Sequence, residues 1–260
     1  MKKRLAIIST HPIQYNAPLF ALLNERGLVD FKVFYTWGDS VLENKYDPGF
    51  GKIINWDIDL LKGYQYEFVN NVAKEKGSHH FKGIDNPELI EKIKQFDPGV
   101  ILVYGWPFKS HLKLMRYFKG KVKIAFRGDS TLLDDTNNLK SKLRHLFLSW
   151  VYKHIDAAFY VGKSNMDYFL KMGLQTEQLI WAPHAIDNDR FDKTNQDNKI
   201  NADALRSSLQ IGEKDLVFLF AGKFEEKKDP RGLLNAFINT VKNKRIHLLM
   251  VGNGNMIEEL

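Results

Sequence analysis

The sequence predicts an α/β fold: a doubly wound parallel sheet, followed by the start of a second domain of the same class. Short, nearly continuous apolar runs alternate with longer amphipathic segments, and strands that are apolar on both faces are typical of parallel sheets covered by helices. The 260 residues are 44% hydrophobic and 27% charged, as in an ordinary globular chain. Alternating strands and helices imply right-handed crossover units.

Each apolar run is interpreted as a strand. The predicted strands are Leu5 to Ser9, Phe31 to Thr36, Tyr66 to Val69, Val100 to Tyr104, Val122 to Phe126, Ala157 to Val161, Leu179 to Ala182, Leu216 to Ala221 and His247 to Val251.

Helix ends are marked by capping residues. One helix is predicted to begin near Asn16, with Pro18 in its first turn, and to end at Gly27. Another has Asn86 as N-cap and Pro87 at its first helical position.

Two further helices have similar signals. Ser164 followed by Asp167 resembles a capping box, and Gly173 closes that helix. Asp229 and Pro230 are predicted as N-cap and first position of a later helix.

The domain organisation follows from a polar stretch late in the chain. Periodicity fades between Asp187 and Asn201, where Asn, Asp and Lys are frequent, as in linkers. We predict a Rossmann-like domain over 1–190, a linker over 191–213 and an incomplete second Rossmann-like domain over 214–260. This last piece is too small to be stable alone, so we expect a truncated chain that is inactive by itself.

The charge balance favours anionic partners. Lys and Arg number 38 against 31 Asp and Glu, a net charge of +7. Nucleic acid is not expected, because the basic residues are spread among acidic ones and no recognised module appears. The absence of cysteine excludes disulfides, thiolate zinc sites and a cysteine nucleophile, and it fits a cytosolic compartment.

Membrane contact is predicted from one helix. The basic start Met1 to Arg4 precedes too short an apolar stretch for a signal peptide, and no run is long enough to cross a bilayer. The segment from Asn138 to His154, however, mixes Lys and Arg with Leu, Phe and Trp. We expect peripheral association with the anionic inner face of the membrane. The alternative is an ordinary core-facing helix with a solvated basic face.

Candidate ligand-binding residues follow the first strand, because ligands in open parallel sheets lie beyond the carboxyl ends of the strands. His11, Gln14, Tyr15 and Asn16 form a polar loop that leads into a helix N-terminus, which attracts anions. The alternative is a polar turn with Asn16 as N-cap.

Two other strand ends carry similar groups. Arg127 offers a forked donor, Gly128 permits close backbone approach and Asp129 can orient a hydroxyl. Tyr104 and Trp106 can stack on a sugar face. For Arg127 and Asp129, the alternative is an ordinary ion pair on the surface. For Tyr104 and Trp106, the alternative is an aromatic side chain that closes the top of the core.

The second domain has one candidate turn. Gly222 ends a strand, and Lys223 and Lys228 flank the turn into the next helix, where ammonium groups add to the positive helix end. Such a turn binds pyrophosphate, although Glu225 and Glu226 offset part of the charge, as in a charged surface loop.

A metal is not expected. His79, His80, His184 and His247 lack metal-ligand spacing with acidic partners and are interpreted as structural.

The order of motifs resembles that of group 1 glycosyltransferases, carbohydrate-active family 4, whose GT-B fold has two facing Rossmann-like domains. The similar segments, spread over essentially the whole chain, are 11–20, 56–64, 161–173, 181–187 and 251–254. Gly222 and Lys223 with Lys228 are similar to the family's Gly-Arg and Lys pair that holds the donor diphosphate, and Gly252 and Gly254 match its next Gly-x-Gly turn.

The resemblance implies a retaining, metal-independent transferase that needs no cofactor. It would move a sugar from a nucleotide-diphosphate donor to a glycan or lipid-linked acceptor in cell-surface polysaccharide biosynthesis. The expected catalytic residues are His11, Arg127 and Asp129. The expected acceptor-side residues are Gln14, Tyr15, Asn16, Tyr104 and Trp106.

The sequence also departs from the family. Lys223 stands where Arg is usual, Asp229 where Gly is usual, and Arg127 near where many members have His. The family's glutamate pair for the donor sugar is expected beyond Leu260. Two alternatives stay open: a sugar-nucleotide epimerase of the same fold and a non-enzymatic glycan-binding module.

Overall fold

A computed structural model describes residues 4–39, 46–47, 52–53, 56–133, 135–136 and 138–260. The residues Met1 to Lys3 of the basic start lie outside this range. The chain divides into two compact units, Met1–Glu43 with Trp56–Ile186, and Asn44–Asn55 with Asp187–Leu260.

The first unit is built on a seven-stranded sheet in which all described pairs are parallel. Its strands are β1 (Arg4–Ser9), β2 (Asp30–Tyr35), β5 (Tyr66–Phe68), β6 (Val100–Tyr104), β7 (Lys123–Arg127), β8 (Ala157–Tyr160) and β9 (Leu179–Trp181). The two short strands between them in sequence, β3 (Tyr46–Asp47) and β4 (Lys52–Ile53), form a separate antiparallel pair.

The strand order in the sheet is β5-β2-β1-β6-β7-β8-β9. The order reverses between β1 and β6, and this switch point is where ligands bind in open α/β sheets. The doubly wound parallel sheet is therefore confirmed.

Helices connect the strands of this sheet. They are α1 (Ala17–Arg26), α2 (Leu89–Phe96), α3 (Lys109–Phe118), α4 (Leu139–Tyr152) and α5 (Lys163–Lys171). As predicted, α1 follows Asn16, has proline in its first turn and ends at Gly27, whose φ of 58° favours glycine. No helix in the described part of the chain is long and apolar enough to cross a membrane.

The core lies on both faces of the sheet, which explains the continuous apolar runs. In β1, Ala6 and Ile8 belong to one buried cluster and Ile7 to the other. In β6, Val103 belongs to the same cluster as Ala6 and Ile8, and Leu102 belongs to the same cluster as Ile7. Each apolar side chain stabilises the fold by about 1.5–3 kcal/mol when fully buried, so consecutive residues in the middle of β1 and β6 all contribute.

Two predicted caps are wrong. Glu88, not Asn86, occupies the N-cap of α2, because the buried Asn86 amide instead donates to the carbonyls of Thr36, Val69 and Asn70. Gly162, not Ser164, occupies the N-cap of α5.

The second unit contains a parallel pair, β10 (Leu216–Ala221) and β11 (Ile246–Val251), as predicted. Its helices are α6 (Gln196–Ser208) and α7 (Pro230–Thr240). As predicted, Asp229 caps α7, and its carboxylate accepts from the Gly232 N–H at 3.0 Å.

The stretch expected to be a linker is not without structure. The 13-residue helix α6 lies within it, and the Asn195 side chain caps that helix by accepting from the N–H groups of Asp197 and Asn198. The helix buries none of its residues, and its apolar side chains Ile200 and Leu205 are exposed.

Candidate functional site

Side chains from several strand ends of the first unit lie within electrostatic range of one another. Partial burial raises the pKa of Tyr15, Asp129 raises it further, and Arg127 opposes the change. Burial also raises the pKa of Tyr104, and Arg127 again opposes the change. The Tyr15 side chain is 45% exposed and therefore reaches solvent. We call Tyr15, Tyr104, Arg127, Asp129 and His184 the strand-end cluster.

His184 belongs to this cluster through a ring contact. Its imidazole meets the Tyr15 ring edge-on, with ring centroids 6.1 Å apart. Sequence reasoning interpreted this histidine as structural. Its position in the segment after β9, one of the strand ends where ligands are expected, was the signal that could have marked it.

Arg127 is the last residue of β7, one position later than the predicted strand end. Its guanidinium donates to the carbonyl of Ala182 at 2.7 Å and to that of Pro183 at 3.3 Å. Arg127 therefore fixes the segment that carries His184, and part of its donor fork is already used.

The loop after β1 is held by its own neighbours. The His11 Nδ1 atom lies 2.8 Å from the Thr10 hydroxyl, and the His11 ring meets Trp37 edge-on at 5.3 Å. Gln14 is half-buried, and the buried Asn16 precedes α1 without a side-chain cap bond. This loop thus presents Tyr15 as its exposed group.

Trp106 has a different environment. It packs against the core and meets Phe147 of α4 edge-on at 5.7 Å. These contacts agree with the alternative interpretation of Trp106, an aromatic side chain that closes the top of the core, rather than with an acceptor-side residue.

A buried histidine that the sequence analysis did not single out lies at the switch point between β1 and β6 and contacts the neighbouring strand ends. His111 is fully buried, with Nδ1 2.7 Å from the Gly105 carbonyl and Nε2 2.8 Å from the Thr36 hydroxyl. Because a carbonyl only accepts, the Nδ1 atom carries the proton and the neutral Nε2 accepts from Thr36. Burial lowers the pKa of His111 to about 4, which keeps the ring neutral at physiological pH. The Thr36 hydroxyl also lies 3.2 Å from the Ser9 carbonyl, so this network joins the ends of β1, β2 and β6.

In the second unit, the turns after β10 and β11 lie side by side. The N–H of Gly222 donates to Val251 at 3.0 Å, and that of Phe224 donates to Asn253 at 2.9 Å. A Cβ atom at Gly252 would collide with the Gly222 carbonyl, and one at Gly254 would collide with the backbone of Phe224. These glycines are thus required by the close approach of the two turns.

The same turn carries the lysines predicted to bind phosphate. Lys223 is half-buried, and Lys228 is exposed directly before Asp229 and α7. The Asp229 carboxylate occupies one free amide of this helix N-terminus. The turn carries three lysines, Lys223, Lys227 and Lys228, and three acidic residues, Glu225, Glu226 and Asp229, of which Glu226 pairs with Arg231 at 2.8 Å.

In the described part of the chain, no group of three or more His, Cys, Asp or Glu side chains could hold a metal ion.

Comparison with known proteins places the fold among two-domain Rossmann-like structures. No protein-family profile matches the sequence, and no curated protein matches it. HepE of Anabaena in complex with UDP superposes with a TM-score of 0.62 at 14% identity, over 100% of this chain and 63% of that chain.

Two further solved structures are similar. The Escherichia coli trehalose-6-phosphate protein, bound with UDP-2-fluoro glucose, has a TM-score of 0.58 at 10% identity, over 97% of this chain and 65% of that one. A Listeria monocytogenes protein named as a UDP-N-acetylglucosamine 2-epimerase has a TM-score of 0.50 at 15% identity, over 96% and 69%. These likenesses establish the Rossmann-like GT-B type of α/β fold, and the chain spans less than two thirds of the length of HepE.

Proposed function

We propose that the protein is a glycosyltransferase that moves a sugar from a nucleotide-diphosphate donor to a glycan or lipid-linked acceptor. The fold supports this proposal, since HepE was solved with UDP and the Escherichia coli protein with UDP-2-fluoro glucose. We further propose a retaining, metal-independent reaction in cell-surface polysaccharide synthesis, on the cytoplasmic side of the membrane. These finer features rest on the resemblance of the sequence motifs.

The observation that carries the proposal is the turn after β10. Gly252 lets the turns after β10 and β11 lie side by side, and Lys223 and Lys228 lie at the end of the strand and just before α7. Ammonium groups at this position would neutralise the charge that develops on a leaving diphosphate. Asp229, which stands where the family usually has Gly, adds one negative charge that would repel the diphosphate.

The strand-end cluster of the first unit supports an acceptor role for that unit. Tyr15 and His184 offer aromatic faces for a sugar ring, and Asp129 is a carboxylate that can accept from sugar hydroxyls. An arrangement of aromatic surface with a few convergent polar groups is typical of ligand sites.

The experiment is an assay of nucleotide-diphosphate release from a panel of nucleotide sugars, with and without glycan acceptors. We expect acceptor-dependent release that Lys228→Ala reduces and Lys242→Ala, an exposed lysine outside the turn, leaves unchanged. The assay is run on this chain and on any longer reading frame that contains it. If no nucleotide sugar is bound or consumed in either form, the proposal is wrong.

The likeness to the Listeria protein favours one second candidate, a sugar-nucleotide epimerase. An epimerase inverts a sugar carbon without any glycan acceptor, so product analysis separates the two reactions. Conversion of one nucleotide sugar into its epimer, with no transfer product, would select this candidate.

A further inference from the structure

A small pocket lies next to the strand-end cluster, between the loop after β7 and helices α4 and α5. Its volume is about 160 Å³, and Ser130 and Thr131, which directly follow Asp129, form part of its wall. All of its lining residues belong to the first unit.

The loop that forms this wall is fixed by side-chain hydrogen bonds. The buried Asn165 of α5 donates to the Ser130 carbonyl at 2.8 Å and accepts from the Val161 N–H at 3.1 Å. Further along the loop, the hydroxyls of Thr136 and Ser141 lie 3.1 Å apart. The pocket is therefore a formed feature of the unit.

One oxygen of a carboxylate in the pocket lacks a donor. Asp135 Oδ2 lies 2.9 Å from His145 Nε2, whereas the buried Oδ1 atom has no hydrogen-bond partner among the described residues. Because a buried acceptor without a donor is unfavourable, a ligand hydroxyl that donates to Oδ1 after a small rotation of the Asp135 side chain towards the pocket would be stabilised here.

Arg144 also lines the pocket. Arg144 has no ion-pair partner in the residues that the structure describes, and α4 carries no acidic residue that could pair with it. Its forked donors match a carboxylate in bidentate geometry. The pocket thus offers one acceptor for a hydroxyl and one cation for an acid group.

The remaining wall is apolar. Leu148, Tyr168 and Met172 are buried and present aliphatic and aromatic surface to the pocket. A pyranose ring has hydroxyls at its edge and an apolar face, and it fits a volume of this size. We propose that the pocket binds one acidic sugar unit, such as a hexuronic acid, of the acceptor glycan.

This inference rests on the proposed function, because it names the class of acceptor. The test is an NMR titration of the 260-residue chain with D-glucuronate, observed at the His145 ring, and a separate titration with UDP. We expect glucuronate to shift the His145 signals, and glucose to bind at least several-fold more weakly.

Variants locate the site. Asp135→Ala and Arg144→Ala should each weaken glucuronate binding at least tenfold, and Thr131→Phe should block it by filling the pocket while Asp135 stays in place. The matched control is Asp167→Asn, an exposed carboxylate of α5 that pairs with Lys163 outside the pocket and should change nothing.

The outcomes separate the two proposals. Glucuronate binding that is absent, equal to that of glucose, or unaffected by the pocket variants overturns the inference, even if UDP binds. Glucuronate binding at the pocket in a protein that never binds UDP or a nucleotide sugar supports the pocket and overturns the proposed function.

Discussion

His111 is a single side chain that links the ends of several strands. Its two ring nitrogens contact Gly105 and Thr36, and the Gly105 N–H in turn donates to the Arg127 carbonyl at 3.0 Å. These strand ends are therefore linked through one buried imidazole, whose Nε2 accepts a hydrogen bond only while the ring is neutral.

Stability should fall in mild acid because of His111. Its folded-state pKa of about 4 lies below the ordinary value near 6.5, so its contribution is present above pH 6.5 and is lost as the pH falls towards 4. We expect the free energy of unfolding of the wild type to fall by about 3 kcal/mol more than that of His111→Gln over this range. Urea unfolding at several pH values measures this, with the exposed His184→Gln as control. Parallel pH profiles of the wild type and His111→Gln would contradict it.

The two exposed lysines before α7 should differ in donor binding. Lys228 adjoins the helix N-terminus, and we expect Lys228→Ala to weaken UDP binding about tenfold or more, since a hydrogen bond to a charged group contributes about 1.5–3 kcal/mol. Lys227→Ala, in the same turn, should have little effect. Titration calorimetry compares them, and equal losses would refute the assignment.

Helix α4 is the element with the most unusual surface. It buries Leu148, Val151 and Tyr152 on one side, yet Leu143 and Leu146 are 60% and 70% exposed. Leu139, Phe147 and Trp150 continue this exposed stripe, and no acidic residue occurs in the helix. The charge complements an anionic lipid surface.

We expect the protein to float with anionic vesicles at low salt, and Leu143→Gln with Leu146→Gln to reduce binding at least about tenfold. The reason is that each fully buried leucine contributes about 1.5–3 kcal/mol. Leu28→Gln, in the exposed turn after α1, is the matched control. Equal recovery with neutral and anionic vesicles would disprove the membrane assignment.

Elements were predictable where the pattern is local. Strand positions followed from apolar runs, and α1 and α7 from Gly27, Asp229 and proline. Helix α6 was missed because polar residues dominate its sequence, as they do in linkers. The predicted cap at Asn86 was wrong because its amide serves carbonyls 16 to 50 residues away, which local sequence does not show.

The sequence predicted which strand ends form the candidate site, but not the contacts between their side chains. Parallel topology brings the residues after β1, β6 and β7 to one edge, so Tyr15, Tyr104 and Arg127 were expected to be neighbours. The contact of Arg127 with Ala182 and the role of His111 depend on packing between distant segments. Spacing along the chain holds no signal for such contacts.

At the scale of the whole molecule, the two units differ in how well their strands are covered. The central strands β1, β6 and β7 are buried on both faces, whereas Leu219 of β10 is 63% exposed and Phe218 is 50% exposed. We expect hydrogen exchange of the β10 and β11 amides to be much faster than that of β1, β6 and β7, because local opening there exposes little buried surface. Mass spectrometry of peptides from both sheets measures this, and equal protection would contradict it.

The seven-stranded sheet also tapers towards its edges. Its outermost strands, β5 and β9, have three residues each, against six in β1 and β2. An edge this short offers few unpaired backbone groups to another chain, and proteins use such edges to avoid aggregation. In the described part of the second unit, β10 and β11 present six-residue strands, each paired on one side. We therefore expect aggregation by strand addition in this 260-residue chain to begin at β10 or β11 rather than at β5 or β9.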